Sequence, residues 1–224
     1  MKKMLLSVLV AAAVGVSAFQ MVSPGSPEKA VAPKNTVAPA IQTYKVIPAE
    51  SKITWIGRKV TGEHTGNITL ASGTMLLERT ALRGGTFIMD MTSITDTDLE
   101  GGSNKRLVDH LKSDDFFSVE KNPTAKFAIT NLIPKQNAKA GAANYTITGD
   151  LTIKGITNQI SFPAMVNVKK GVATAKANLK FDRTKWDIKF RSGNFFENLG
   201  DKAILDDVEL NIELVAKEEA VAKK

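Results

Sequence analysis

The sequence predicts an all-β domain of antiparallel strands, each with one dry face. Two observations carry this. Apolar and polar residues alternate with a period of two in about eight separate runs, the pattern of a half-buried strand. Only one stretch shows helical spacing.

The runs follow one another from about Thr43 to Ala216. "SKITWIGRKV" is rich in β-branched and aromatic residues and ends at a Thr61-Gly62 turn. In "GNITLASGTMLLE" the apolar phase changes between Ile68/Leu70 and Met75/Leu77, which predicts a bulge or bend at Gly73. "GGTFIMDM" alternates Phe87, Met89 and Met91. The helical stretch then intervenes, with Ser103 as the expected cap and Leu107, Val108 and Leu111 on one face. A short helix over about 103–112 inside so long an excursion predicts a flap across a sheet. "TAKFAIT" resumes the strand pattern with Ala125, Phe127 and Ile129.

"YTITGDLTIKGITNQISFPAMVNV" raises the sharpest question. Its first half places Tyr145, Ile147, Leu151 and Ile153 on odd numbers; its second places Ile156, Ile160, Phe162, Ala164, Val166 and Val168 on even ones. The polar residues of 154–159 lie between, so a hairpin is expected whose two dry faces meet the same interior. "GVATAKANLKF" sets Ala173, Ala175, Ala177, Leu179 and Phe181 against polar partners, and "DVELNIELVA" does the same with Val208, Leu210, Ile212 and Leu214. One-sided antiparallel strands in this number form a sandwich or a closed barrel. Three successive inward alanines leave room inside and favour a barrel with space in it.

The flanks differ in character. "MKKMLLSVLVAAAVGVSAFQ" has Lys2 and Lys3, an uncharged apolar run and the small-residue sequence Val16-Ser17-Ala18. This predicts a signal peptide over 1–18, cleaved before Phe19, and a periplasmic or secreted protein, the alternative being a retained membrane anchor for which the apolar run is short. Residues 19–42 hold Pro24, Pro27, Pro33 and Pro39 without sustained period, and read as an extended linker. The domain is expected over 43–217 and a polar tail over 218–224.

Composition narrows the chemistry. The 224 residues include no cysteine, so disulfides, thiolate nucleophiles and thiolate metal sites are excluded. The net charge of +7 is spread along the chain rather than clustered among its few aromatic residues, which argues against nucleic-acid binding. The only histidines, His64 and His110, lie far apart and outside any metal-ligand spacing. The acidic groups Asp96/Asp98/Glu100, Asp114/Asp115 and Asp206/Asp207 read as solvated or capping carboxylates. No nucleophile elbow, phosphate loop or dinucleotide fingerprint is present. Neither an enzyme nor a metal site is expected.

Four segments resemble one family. They are "DHLKSDDFFSVEKNPTAKFAIT" (109–130), "YTITGDLTIKGITNQISFPA" (145–164), "FDRTKWDIKF" (181–190) and "ILDDVELNIELVA" (204–216). In this order they are similar to the YceI-like proteins, the periplasmic polyisoprenoid-binding proteins. Asn67 departs from the Phe common at that place, and "RSGNFFENLGDKAI" resembles the variant found in a branch with Pro-rich leaders. The resemblance implies a lipocalin-like barrel that encloses a long isoprenoid lipid, export, and no catalysis. It implies no cofactor beyond that lipid or an isoprenoid quinone-like molecule, and it is compatible with transient membrane contact and a homodimer. On this basis Trp55, Phe87, Met89, Phe127, Leu151, Phe162, Phe181 and Trp186 are expected to line the pocket. A charged head would meet Arg58, Lys59, Arg183 or Arg191 near strand ends. The competing readings are a filled barrel that serves as an interaction scaffold without lipid, and an enzyme using His64 or His110.

Overall fold

The structure, a computed structural model, describes residues 40–219. The expected signal peptide, most of the linker and the last five residues lie outside the described residues. Nine strand segments, β1 (Ile41–Val46), β2 (Lys52–Lys59), β3 (Gly62–Glu78), β4 (Ala81–Asp96), β5 (Thr124–Pro134), β6 (Tyr145–Ile153), β7 (Ile156–Lys169), β8 (Val172–Asp182) and β9 (Ile204–Glu218), form one sheet, with a single α-helix, α1 (Gly101–Lys112), between β4 and β5. From β2 to β9 each strand is antiparallel to its sequence neighbour, and β9 pairs back onto β2. The sheet is therefore closed.

β1 explains why nine segments make an eight-stranded barrel. It runs antiparallel to the far part of β3 (Lys45 opposite Thr74), while β2 occupies the near part (Ile53 opposite Ile68). Both also pair with β9. The two are thus one interrupted strand, broken by a 3-10 turn at Pro48–Glu50, where Pro48 has no N–H to give a ladder. Closure gives each described strand a pairing partner on both sides over at least part of its length.

The hairpin of β6 and β7 is tighter than its polar composition suggests. Ile153 pairs directly with Ile156, so the turn is only Lys154-Gly155, both with positive φ (51° and 72°). Two such residues are what a two-residue hairpin needs to follow the strand twist. Thr157, Asn158 and Gln159, expected in the turn, belong to β7. The phase change is as expected: Ile147, Leu151 and Ile153 are buried on β6, and Phe162, Ala164 and Val166 on β7. Ile156, in the same phase but beside the turn, is exposed.

The phase change in β3 also has a cause that differs from the expectation. The register slips between Leu70 and Ser72, not at Gly73. Ala71 is the extra residue, and the bulge turns the inward set from Ile68 and Leu70 to Gly73, Met75 and Leu77. Gly73 faces inward against packed neighbours: a Cβ there would stand 2.8 Å from Val46 and 3.0 Å from the Phe87 ring.

The barrel has two unlike ends. At one, Tyr44, Val46, Leu77, Leu82, Ala173 and Ala216 are buried in the core, and the Tyr145 hydroxyl accepts from the Leu82 N–H. The other end carries α1, the segment 113–123 and the long connection 183–203. The helix starts at Gly101 rather than at a Ser103 cap. Its N-cap is Glu100, without a side-chain cap bond, and Ser103 instead accepts from Arg106. Asn104 ties the first turn to the rim by donating to Asp96 Oδ1 and to the Leu99 carbonyl. The outer faces of β8 and β9 carry Lys176, Asn178, Lys180, Glu209 and Glu213, joined in pairs such as Lys176–Glu213.

Candidate functional site: an apolar cavity in the barrel

Strand alternation puts one face of every strand inside, and the interior is not filled. A cavity of about 190 Å³ lies between the packed end and the capped end. Even an engineered apolar cavity of about 150 Å³ stays dry and takes up benzene. Arg183 is the one charged side chain on an otherwise apolar lining, since Lys176 also borders the cavity but turns its side chain outward to Glu213, so water has almost nothing to bond to within it.

Cross-strand register assembles the wall. Phe87 on β4 faces Phe127 on β5, which faces Leu151 on β6. The Phe87 and Phe127 rings stand 6.4 Å apart at 21°, and Phe162 leans on Phe127 at 5.5 Å. Across the barrel, Leu210 of β9 pairs with both Trp55 and Leu179, and the Trp55 indole N–H donates to the Thr95 carbonyl at 3.1 Å. Between these walls Ala164 pairs with Ala177, and Ala177 with Ile212. Ala164, Ala175 and Ala177 all border the cavity. The small residues provide the space and the aromatic ones shape it.

Seven of the eight expected pocket residues border the cavity: Trp55, Phe87, Met89, Phe127, Leu151, Phe162 and Phe181. Trp186 does not. It is fully buried in the adjoining core, edge-on to Phe181 at 5.2 Å, and its indole N–H donates to the Leu151 carbonyl at 3.0 Å. It backs the wall that Phe181 and Leu151 present. Residues without strand period were missed. Leu111, Phe116, Phe117 and Ile188 close the capped end over the cavity, brought there by α1 and the two long connections. The run Asp114-Asp115-Phe116-Phe117 carried a signal, an aromatic pair just beyond a helix, but no period to say which way it faced.

The four basic candidates separate. Arg58 is on the outer face, paired with Glu63 (3.0 Å) and Glu209 (3.1 Å). Lys59 is exposed at the end of β2. Arg191 lies outside the cavity with its guanidinium 5.1 Å above the Phe190 ring. Only Arg183 borders the cavity, and it is 3% exposed. Its N–H groups donate to the carbonyls of Leu205 (3.2 Å), Ile188 (2.7 Å) and Ile204 (3.1 Å), and Nη2 lies 3.0 Å from Asp206 Oδ1. Burial lowers its pKa, opposed by Asp206 and Asp182. These contacts take up most of the five guanidinium donors, so Arg183 fastens the 183–203 connection to β9.

The histidines occupy joints. His110 stacks edge-on against Phe116 (4.9 Å) and Phe190 (4.6 Å), and its Nε2 lies 2.8 Å from Asp115. It clamps the helix to the 183–203 connection. His64 near the start of β3 lies 2.8 Å from Asp98. Neither borders the cavity. The arrangement can exclude water and hold an apolar chain.

Comparison with known proteins agrees with this geometry. The chain matches the YceI-like domain over residues 44–216. It is 34% identical over 88 residues to the UPF0312 protein of Shewanella denitrificans, a match that takes in 36% of this chain and 44% of that protein. The chain thus spans under half the length of that relative. Among solved structures, BcnA of Burkholderia cenocepacia superposes with a TM-score of 0.60 at 21% identity, covering 77% of this chain and 99% of that one. A polyisoprenoid binding domain from Saccharophagus degradans does so at 0.59 and 13% identity, covering 80% and 99%. These likenesses show the fold. With the four sequence segments, the closed barrel and a domain match across nearly all of its strands, the chain belongs to the YceI-like family.

Proposed function

We propose that this protein binds and carries a long-chain isoprenoid lipid in its barrel, without catalysis, in the periplasm. The observation that carries the reading is the apolar cavity inside the barrel, whose wall offers a ligand area but almost no polar partner. A polyprenyl chain suits such a wall because its units are apolar throughout. Each buried methylene contributes roughly 0.8 kcal/mol, so several isoprene units gain far more than the observable affinity. Ordering a flexible chain offsets much of it, and non-covalent binding saturates near −18 to −21 kcal/mol. The chain-like chemistry of the ligand is supported by the likeness to the polyisoprenoid binding domain from Saccharophagus degradans, and export by the apolar leader of residues 4–19.

The capped end is where a lipid would enter. Leu205 borders the cavity and is 46% exposed, and Phe195 and Phe196 of the neighbouring connection are also half exposed. Transient contact of this rim with a membrane would hand over the chain without passing it through water.

The test is the native mass of gently purified protein, followed by solvent extraction and mass spectrometry. A fixed added mass, released by solvent and identified as an isoprenoid, is the expected result. If no lipid is retained, and none is taken up from a bacterial membrane extract, the carrier reading fails and the barrel is a scaffold.

A further inference from the structure

The pairing of β3 with β4 places Gly66 opposite Asp96, and so gathers three side chains that are far apart in sequence. His64, Asp96 and Asp98 each present a donor atom, and the three donors lie within 4.8 Å of one another. The carboxylates are pre-oriented. Asp96 Oδ1 accepts from the Leu99 N–H (2.9 Å) and from Asn104 Nδ2 (3.0 Å). Asp98 Oδ1 accepts from the Thr65 N–H (2.7 Å). One oxygen of each carboxylate is thus held by the protein, and the other is turned to the cluster. Asp98 Oδ2 lies 2.8 Å from His64 Nδ1.

Asp96 Oδ2 is the telling atom. Asp96 is 7% exposed, and its Oδ2 is buried without a hydrogen-bond partner. A buried carboxylate oxygen left unpaired is destabilising, and a bound cation would relieve it. His64 and Asp98 are only partly covered, with side chains 29% and 31% exposed, so the cluster is open to solvent on one side.

The geometry points to a binding site for a divalent cation of the Zn²⁺ class, held by His64 Nδ1, Asp96 Oδ2 and Asp98 Oδ2, with water completing the coordination. Three N/O ligands and an open position are a common Zn²⁺ set, with bonds of about 2.0–2.2 Å. Such bonds separate tetrahedral donors by about 3.4 Å. The His64–Asp98 pair, 2.8 Å apart, must therefore open slightly. An imidazole in the set favours Zn²⁺ over Ca²⁺ or Mg²⁺, which take oxygen ligands. The hydrogen bonds to the outer carboxylate oxygens fix ligand orientation, as metal sites require. The ion would join β3 to the root of α1, because Asp96 already holds Asn104 of that helix. Trp55 of the cavity wall is anchored one residue away, on Thr95. The site is independent of the lipid reading.

The experiment is calorimetric titration of tag-free, chelator-treated protein with ZnCl2, with the same titration by CaCl2. One equivalent of Zn²⁺ per chain is expected, bound at least tenfold more tightly than Ca²⁺. His64→Gln and Asp98→Asn, both at partly exposed positions, each weaken Zn²⁺ binding at least tenfold with unchanged circular dichroism. His110→Gln, which alters the only other histidine, binds as the wild type. Absence of saturable Zn²⁺ uptake overturns the site. So does uptake that survives both His64→Gln and Asp98→Asn, or that His110→Gln abolishes. Tighter binding of Ca²⁺ overturns the ion class.

Discussion

Ala177→Leu asks directly whether the space inside the barrel is a ligand site. Ala177 borders the cavity, with Ala164 beside it on β7 and Ile212 on β9. A leucine adds three carbons that point into open volume. At roughly 0.8 kcal/mol per methylene the gross gain of burying them is about 2.4 kcal/mol. Lost side-chain entropy removes about 0.5–1 kcal/mol. Lipid-free protein should therefore be more stable by about 1–2 kcal/mol. A bound chain loses the same volume, and about 2.4 kcal/mol of lost contact weakens it about fiftyfold. Urea unfolding of delipidated protein reads the first quantity. Polyprenol titration, followed by the fluorescence of Trp55, reads the second. Destabilisation by more than about 1 kcal/mol would mean that the wall is already packed there. Greater stability with unchanged uptake would refute the placement of the lipid against the alanine wall.

Two further outcomes test the fold. Gly155→Val puts a β-branched residue at a φ of 72°, where a Cβ meets no neighbour within 4 Å, so its cost is backbone strain alone, about 1–2 kcal/mol. Thermal melting should fall by several degrees, and an unchanged midpoint would argue against the two-residue turn. Arg183→Met leaves the carbonyls of Ile188, Ile204 and Leu205 unpaired and Asp206 without its cation. A loss of about 3–5 kcal/mol is expected from urea unfolding, and a loss under 1 kcal/mol would show that these groups find water instead.

What the sequence determined by itself is whatever repeats every two residues. Alternation in Tyr145–Ile153 and in Ile160–Val168 specified which side chains turn inward, because a strand places successive side chains on opposite faces. The alanines of β8 signalled open space for the same reason. The family was legible too, since its segments are contiguous in the chain. The rest needed the tertiary structure because it depends on which distant backbones are paired. Closure of the barrel is a pairing of β2 with β9, and no local pattern records it. Trp186 is as apolar as Trp55, yet only the course of the 183–203 connection puts it behind the wall rather than on it. Phe116, Phe117 and Ile188 lie in segments without period, so their facing is decided by what they pack against. His64, Asp96 and Asp98 carried no recognisable spacing, because a strand register, not a motif, brings them within reach of one ion.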